Sequence, residues 1–313
     1  LLEGGVNATN VTFAVEEGWS NALRTIEEGF EKIEKHPLLT LATSTADIRA
    51  AHSAGKLAII PGTQGASMID KHESLYTKPE ISESDSSFHR VDLLARLGIR
   101  FFGLTYTAGN LFADGCGEKR NAGLSFFGEE LVDHVNTLPM MLDLSHTGHQ
   151  SRLEAAQRAR APVCTHSNAH ALSTSDRNTT DEVAAIIAEK GGVMGLLGIP
   201  RTVSITDPNL ETWVDHVDHW KTVIGVEHVG LGLDMTEYYQ ENGIVLPDSR
   251  RWRTRRPDVF GSVEDFTKTE YPLKSVRDLH RLTATLLARG YDEPTVTGIL
   301  GQNWLRAFES ACG

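Results

Sequence analysis

The sequence predicts a parallel α/β protein, a (β/α)8 TIM-type barrel in a single domain over residues 1–313 with C-terminal helices. Three observations predict it. Short aliphatic or β-branched runs alternate with longer stretches of helical period, the pattern of successive βα units. The strand runs are apolar almost without interruption, as strands buried on both faces must be. Four of them end on a polar residue, and a barrel of this class gathers its strand ends at one mouth.

The expected strands, in order, are 6–14, 57–61, 101–107, 140–145, 163–167, 193–199 and 229–234. Helices are expected at 21–35, 127–137, 150–160, 181–190 and 212–224, with a helical tail at 275–290 and 293–311. Seven strands are one short of a closed barrel, so the eighth is either poorly marked or lies before the first residue. The chain opens at Leu1 with no Met and no charged-then-apolar leader, which suits a longer polypeptide. The stretch 240–272, with Pro247, Pro257 and several arginines, is expected as a long loop over the mouth. No Gly-rich nucleotide fingerprint follows an early strand, which argues against an open dinucleotide-binding sheet.

Composition narrows the partners. The chain carries 42 acidic and 30 basic side chains, a net charge of −12, which repels phosphate backbones and excludes nucleic acid as the expected partner. No apolar run is long enough to span a bilayer, so no membrane partner is expected. Cys116, Cys164 and Cys312 are far apart and form no CxxC pair, which indicates neither a zinc knuckle nor a disulfide framework and suits a cytoplasmic protein. Sequons at Asn7 and Asn10 fall inside the first expected strand and are discounted.

The polar strand ends are Tyr106, His146, His166 and Asp234. Two imidazoles and a carboxylate, brought together, are what a divalent metal such as zinc needs: imidazole nitrogens ligate, and the carboxylate ligates or takes a proton from bound water. Arg177, in the loop 173–180 after His166, suits bidentate recognition of a substrate carboxylate. His149 and His170 lie near the mouth without an assigned role. His216 and His219 share a face of a polar helix, expected to be solvated.

Several segments together resemble the membrane (renal) dipeptidase family. Leu142-Asp143-Leu144-Ser145-His146 and Thr165-His166-Ser167-Asn168 are similar to its paired zinc-histidine strands, and Arg177-Asn178 to its substrate-binding loop. Gly230-Leu231-Gly232-Leu233-Asp234 is similar to its last-strand Gly-x-Gly-x-Asp. Gly123-Leu124-Ser125-x-Phe127-Gly128, Gly191-Gly192-Val193-Met194-Gly195 and Gly301-Gln302-Asn303-Trp304-Leu305-Arg306 also fit, in order along nearly the whole chain. The resemblance implies hydrolysis of a dipeptide by two zinc ions bridged by a glutamate, in a homodimer. It implies that His146 and His166 bind one zinc, that Asp234 acts on the attacking water or the leaving-group proton, and that Arg177, with Asn178, holds the substrate.

Three departures qualify it. Gln64, in Gly62-Thr63-Gln64-Gly65, stands at the bridging-glutamate position, where a neutral amide is a weak ligand and offsets no charge. Tyr106 stands where the family has a substrate-binding histidine. The first-strand His-x-Asp is absent, and the sequence begins near where the second strand of such a barrel should start. The expectation is therefore a divergent metal-dependent hydrolase of a small, carboxylate-bearing, dipeptide-like substrate. It would hold one divalent metal at most, or none, with Tyr106 hydrogen-bonding the developing oxyanion. A lyase or isomerase on the same scaffold and a catalytically silent small-molecule-binding protein are the alternatives.

Overall fold

Every residue of the strand Leu57–Thr63 is buried, and the sheet of the first half of the chain is organised around it. The computed structural model describes residues 1–69, 88–234 and 247–313. These residues form two compact units, one of residues 7–162 and 308–313, the other of residues 1–6 and 163–307.

In the first unit β1 (Ala8–Ala14), β2 (Leu39–Leu41), β3 (Leu57–Thr63), β4 (Phe101–Gly103) and β5 (Met141–Asp143) are all parallel. β1 runs along the whole of one edge of β3. β2 pairs with the start of the opposite edge and β4 with its end, so the two succeed one another there. The helices are α1 (Trp19–Lys35), α2 (Thr45–Ser53), α3 (His89–Arg96), α4 (Phe126–Val135) and α5 (His149–Arg158). In α1, Ala22, Ile26 and Ile33 recur at helical spacing and are buried, each large one contributing about 1.5–3 kcal/mol. Gly29 sits among them because a Cβ there would lie 2.2 Å from the Phe13 ring of β1. The start of α2 is fixed by a reciprocal capping box between Ser44 and Asp47. Asp47 accepts from the backbone N–H of Thr43 and Ser44, and these bonds hold its carboxyl below the usual range although burial opposes the shift.

β6 (Pro162–Val163) falls where the chain passes between the units. In the second unit β7 (Met194–Leu196) and β8 (Val229–Leu231) are paired in parallel, and Cys164 bridges to Met194. Its helices are α6 (Asp181–Glu189), α7 (Pro200–Val203), α8 (Leu210–Ile224), α9 (Pro247–Arg255), α10 (Pro257–Phe260), α11 (Val263–Lys268), α12 (Leu279–Ala288) and α13 (Glu293–Thr297), followed by α14 (Asn303–Cys312), of which residues to Ala307 belong here. α14 pegs β8 in place: Trp304 Nε1 donates to the Leu231 carbonyl at 3.0 Å, and Asn303 Nδ2 donates to those of Val226 and Val229.

Parallel strands with intervening helices are the architecture the periodicity foretold, with four differences. The eighth strand among the described residues is β2, three half-buried residues too short to stand out as an apolar run. α2 and α3 were not anticipated, since both are short and rich in polar residues. The expected loop 240–272 is not a loop where it is described: α9, α10 and α11 occupy most of it, and residues 240–246 lie outside the described residues. The helix carrying His216 does not present it to solvent. His216 is fully buried beside Trp213, Val217 and Trp220, because the apolar stripe of α8 passes through it. No helix among the described residues is long and apolar enough to cross a membrane.

Candidate active site

The first unit brings Gln64, Tyr106 and His146 together. Gln64 follows β3 directly, and its backbone N–H bonds the Ala14 carbonyl at 3.0 Å. Its backbone presses on the end of β4 so closely that a Cβ on Gly103 would lie 2.6 Å from the Gln64 Cα. Gly65 in turn lies against the start of the Tyr106 loop, with room for only a hydrogen on its Cα: a Cβ would meet Val15 O at 2.6 Å and Tyr106 N at 3.3 Å. The Tyr106 ring is stacked on the His146 imidazole, with centroids 4.2 Å apart and planes inclined by 29°. Beneath the stack, the buried hydroxyls of Thr105 and Thr147 are joined at 3.1 Å, tying the residue before Tyr106 to the residue after His146.

The turn that carries His146 is fixed on every side. Asp143 Oδ1 accepts from the Ser145 backbone N–H at 3.1 Å and from its hydroxyl at 2.5 Å. The Cys116 N–H donates to the His146 carbonyl at 2.7 Å, and the Gly148 N–H to the Asp114 carbonyl at 2.8 Å. Both His146 and Asp143 are buried, so the imidazole has little freedom of approach.

The second unit brings His166, Arg177 and the end of β8 together. His166 is buried, and its Nδ1 shares a hydrogen with Thr165 Oγ1 at 2.7 Å. Two glycines let the neighbouring strands close on this segment. A Cβ at Gly195 would lie 1.9 Å from the Thr165 carbonyl oxygen, and one at Gly232 would lie 1.7 Å from it and 3.0 Å from the His166 Cα. Gly232 is two residues before Asp234, so the β8 end runs beside His166. Asp234 is exposed and has φ 51°, the only non-glycine positive φ among the described residues. Aspartate is one of the few residues that adopts this left-handed conformation readily.

The loop bearing Arg177 folds back onto the His166 strand end. Ser167 Oγ donates to the Arg177 carbonyl at 2.9 Å, and the Thr179 N–H to the Asn168 carbonyl at 2.8 Å. Asn168 in turn grips Leu197 through both amide atoms, at 2.9 Å each. Asn178 donates through Nδ2 to the carbonyls of Ser173 and Thr202, each at 2.8 Å, and accepts from the Asn168 N–H at 3.3 Å. Its amide thus braces the loop that carries the buried Arg177. His216 completes the support: Nδ1 accepts from the Ala169 N–H at 3.1 Å and Nε2 donates to the Val203 carbonyl at 2.8 Å. Burial pushes its pKa down to about 4, in keeping with a neutral ring.

Thr105, Thr147, Arg152, Asn168 and His216 all shape the site without having been singled out for it in the sequence. Asn168 lies within the histidine motif, which was a signal; a threonine pair 42 residues apart gives none.

The family model for membrane dipeptidase (peptidase family M19) matches residues 6–239. This chain belongs to the membrane dipeptidase family. It is 29% identical over 275 residues to dipeptidase verJ of Clonostachys rogersoniana, which covers 87% of this chain and 60% of that protein. Among solved structures it is similar to an amidohydrolase from Pseudomonas aeruginosa, with TM-score 0.83 and 28% identity over 99% of this chain and 90% of the other. It shares the fold of a metallo peptidase from Rhodobacter sphaeroides solved with a phosphinate mimic of the dipeptide L-Ala-D-Ala, with TM-score 0.75, 22% identity and coverage of 99% and 88%.

The family is one of metallopeptidases, so the donor set matters. Among the described residues no group of three or more His, Cys, Asp or Glu is placed to hold a metal ion. Gln64, whose backbone lies against Gly103, stands where the resemblance implies the bridging glutamate, and a neutral amide offers no anionic oxygen to a bridged pair of dications. These residues do not fit a bridged pair. His146 in the first unit and His166 in the second each carry an imidazole, a donor type that a divalent ion takes.

Proposed function

We propose that this protein is a divergent dipeptidase-like hydrolase that cleaves the amide bond of a small substrate bearing a free carboxylate. The observation that carries the reading is the family match over residues 6–239, a span that contains His146, His166, Arg177 and Asp234. The dipeptide mimic bound by the Rhodobacter sphaeroides structure supports the substrate class.

In this reading Arg177 pairs with the substrate carboxylate through its planar fork, on a loop held by Asn178, Ser167 and Thr179. Tyr106, backed by His146, donates its phenolic O–H to the oxyanion that develops as the amide carbonyl is attacked. Asp234 takes the proton of the attacking water and returns it to the leaving amine. His146 and His166 would hold one divalent metal, zinc by family analogy, whose chemistry when bound is to acidify water and polarise a carbonyl. A cytoplasmic setting and, by family analogy, a homodimer are part of the proposal.

The test is incubation of the full-length protein with a panel of dipeptides, reading free amino acids by mass spectrometry. Release of both amino acids is expected, together with at least a hundredfold lower kcat/KM in His146→Ala and a raised KM in Arg177→Ala. Undiminished hydrolysis by His146→Ala removes the metal-hydrolase reading. Conversion of a substrate without amino-acid release removes hydrolysis.

A further inference from the structure

We infer that Arg152 is a positioning residue for His146: its guanidinium gathers carbonyls on both sides of the imidazole and thereby sets the ring against Tyr106. Arg152 is 1% exposed, one of the largest fully buried side chains in the molecule. Its Nε donates to the Leu144 carbonyl at 3.1 Å, and its Nη2 to the carbonyls of Ser145 at 3.4 Å and Thr147 at 2.8 Å. The His146 carbonyl between them takes the Cys116 N–H. Four successive carbonyls, 144–147, are therefore fixed from inside the protein.

Two forces oppose a cation at this position. Arg152 lies in the first turn of α5, where the helix dipole favours negative charge. It is also withdrawn from water, at a desolvation cost that a buried guanidinium recovers only through good hydrogen bonds. Its chemistry suits the turn: a planar group with five N–H donors in a fixed fork, set against the carbonyls of Leu144, Ser145 and Thr147. A hydrophobic side chain of similar length would fill the space and leave those carbonyls to rotate. The imidazole rides on that backbone, and its stacking at 4.2 Å on Tyr106 depends on the backbone staying put. The consequence for catalysis rests on the proposed function. The consequence for His146 geometry does not.

The test compares Arg152→Met, Arg152→Lys and Ile26→Ala in the full-length protein. Ile26 is buried in α1, so its truncation lowers stability without touching the turn. The first readout is the His146 side-chain NMR resonance, assigned by its loss in His146→Ala and calibrated by Tyr106→Leu, which removes the ring-current shift. Arg152→Met is expected to lose at least about half of that shift, Arg152→Lys less, and Ile26→Ala none. The second readout is dipeptide hydrolysis, with kcat in Arg152→Met falling about 10- to 100-fold and KM nearly unchanged. An unmoved His146 resonance in folded Arg152→Met, or the same displacement in Ile26→Ala, overturns the inference. If Arg152→Met does not fold, Arg152→Lys decides, and an unmoved resonance there overturns it equally. If the wild type hydrolyses no dipeptide, the functional reading fails while the NMR arm still judges Arg152.

Discussion

His146 is held from behind by a charged side chain, whereas His166 is held by close backbone packing and neutral hydrogen bonds. On the first unit's side the device is Arg152 and its carbonyls, with the Tyr106 ring stacked on the front of the imidazole. On the second unit's side, Gly195 and Gly232 admit the Thr165 carbonyl, and Ser167, Asn168, Asn178 and Thr179 bind the following loop to the strand end. The first arrangement gathers three of its carbonyls on one side chain, Arg152, which a lysine can partly replace. The second is distributed, and its weakest points are positions where no side chain fits at all.

This contrast can be broken or sharpened experimentally. The largest effect is expected from Gly232→Ala, since the added methyl would lie 1.7 Å from the Thr165 oxygen and strand β8 must move. A loss of about 3 kcal/mol or more is expected, read as lowered soluble yield and thermal midpoint. A normal midpoint would show that the strands around His166 are more loosely packed than described. Next comes Asn178→Ala, which removes the Asn178 bond to the Thr202 carbonyl and leaves the Ser173 carbonyl with the Ser175 N–H, and should cost about 1–3 kcal/mol. Its KM for a carboxylate-bearing dipeptide should rise through Arg177, while the same peptide amidated at its C-terminus should show little change.

A pH effect follows at similar or smaller size. The pKa of His216 falls from 6.5 in the unfolded chain to about 4 in the folded protein, chiefly through burial. Its contribution to stability is therefore complete above pH 6.5 and is lost as pH drops towards 4, by up to about 3 kcal/mol. Thermal midpoints between those limits should fall less steeply in His216→Gln than in the wild type, and parallel curves would contradict the buried neutral ring. The smallest effect belongs to Arg289→Gln, at the C-terminal cap of α12. Arg289 pairs with Glu211, Asp215 and Asp218 of α8, but these partners are largely exposed and screened, so about 1 kcal/mol or less is expected, shrinking with salt.

The sequence disclosed what depends on local pattern. Apolar runs located seven of the eight strands among the described residues, and the residue types at their ends pointed to Tyr106, His146, His166 and Asp234. β2 escaped because three half-buried residues leave no periodic trace, and its existence depends on pairing with β3. Arg152 escaped because an arginine within a helical pattern reads as surface, and only tertiary structure shows the carbonyls it serves. His216 was misplaced for the same reason: a histidine among aspartates on a helix looks solvated until the Trp213 and Trp220 stripe is seen to include it. The resemblance implies Asn178 as a substrate group; what the sequence did not show is that its amide also ties the loop to Asn168 and to Thr202 of α7.

The departures at Gln64 and Tyr106 lead to the central claim, that this member of the family works with a single divalent metal at most. Elemental analysis of freshly purified, unchelated full-length protein tests it most directly, with dipeptide hydrolysis measured on the same fractions. The account predicts no more than one metal per chain in active fractions, lost in His146→Ala together with activity. Two tightly bound metals per chain in active protein would contradict it and would mean that Gln64 is no obstacle to a bridged pair.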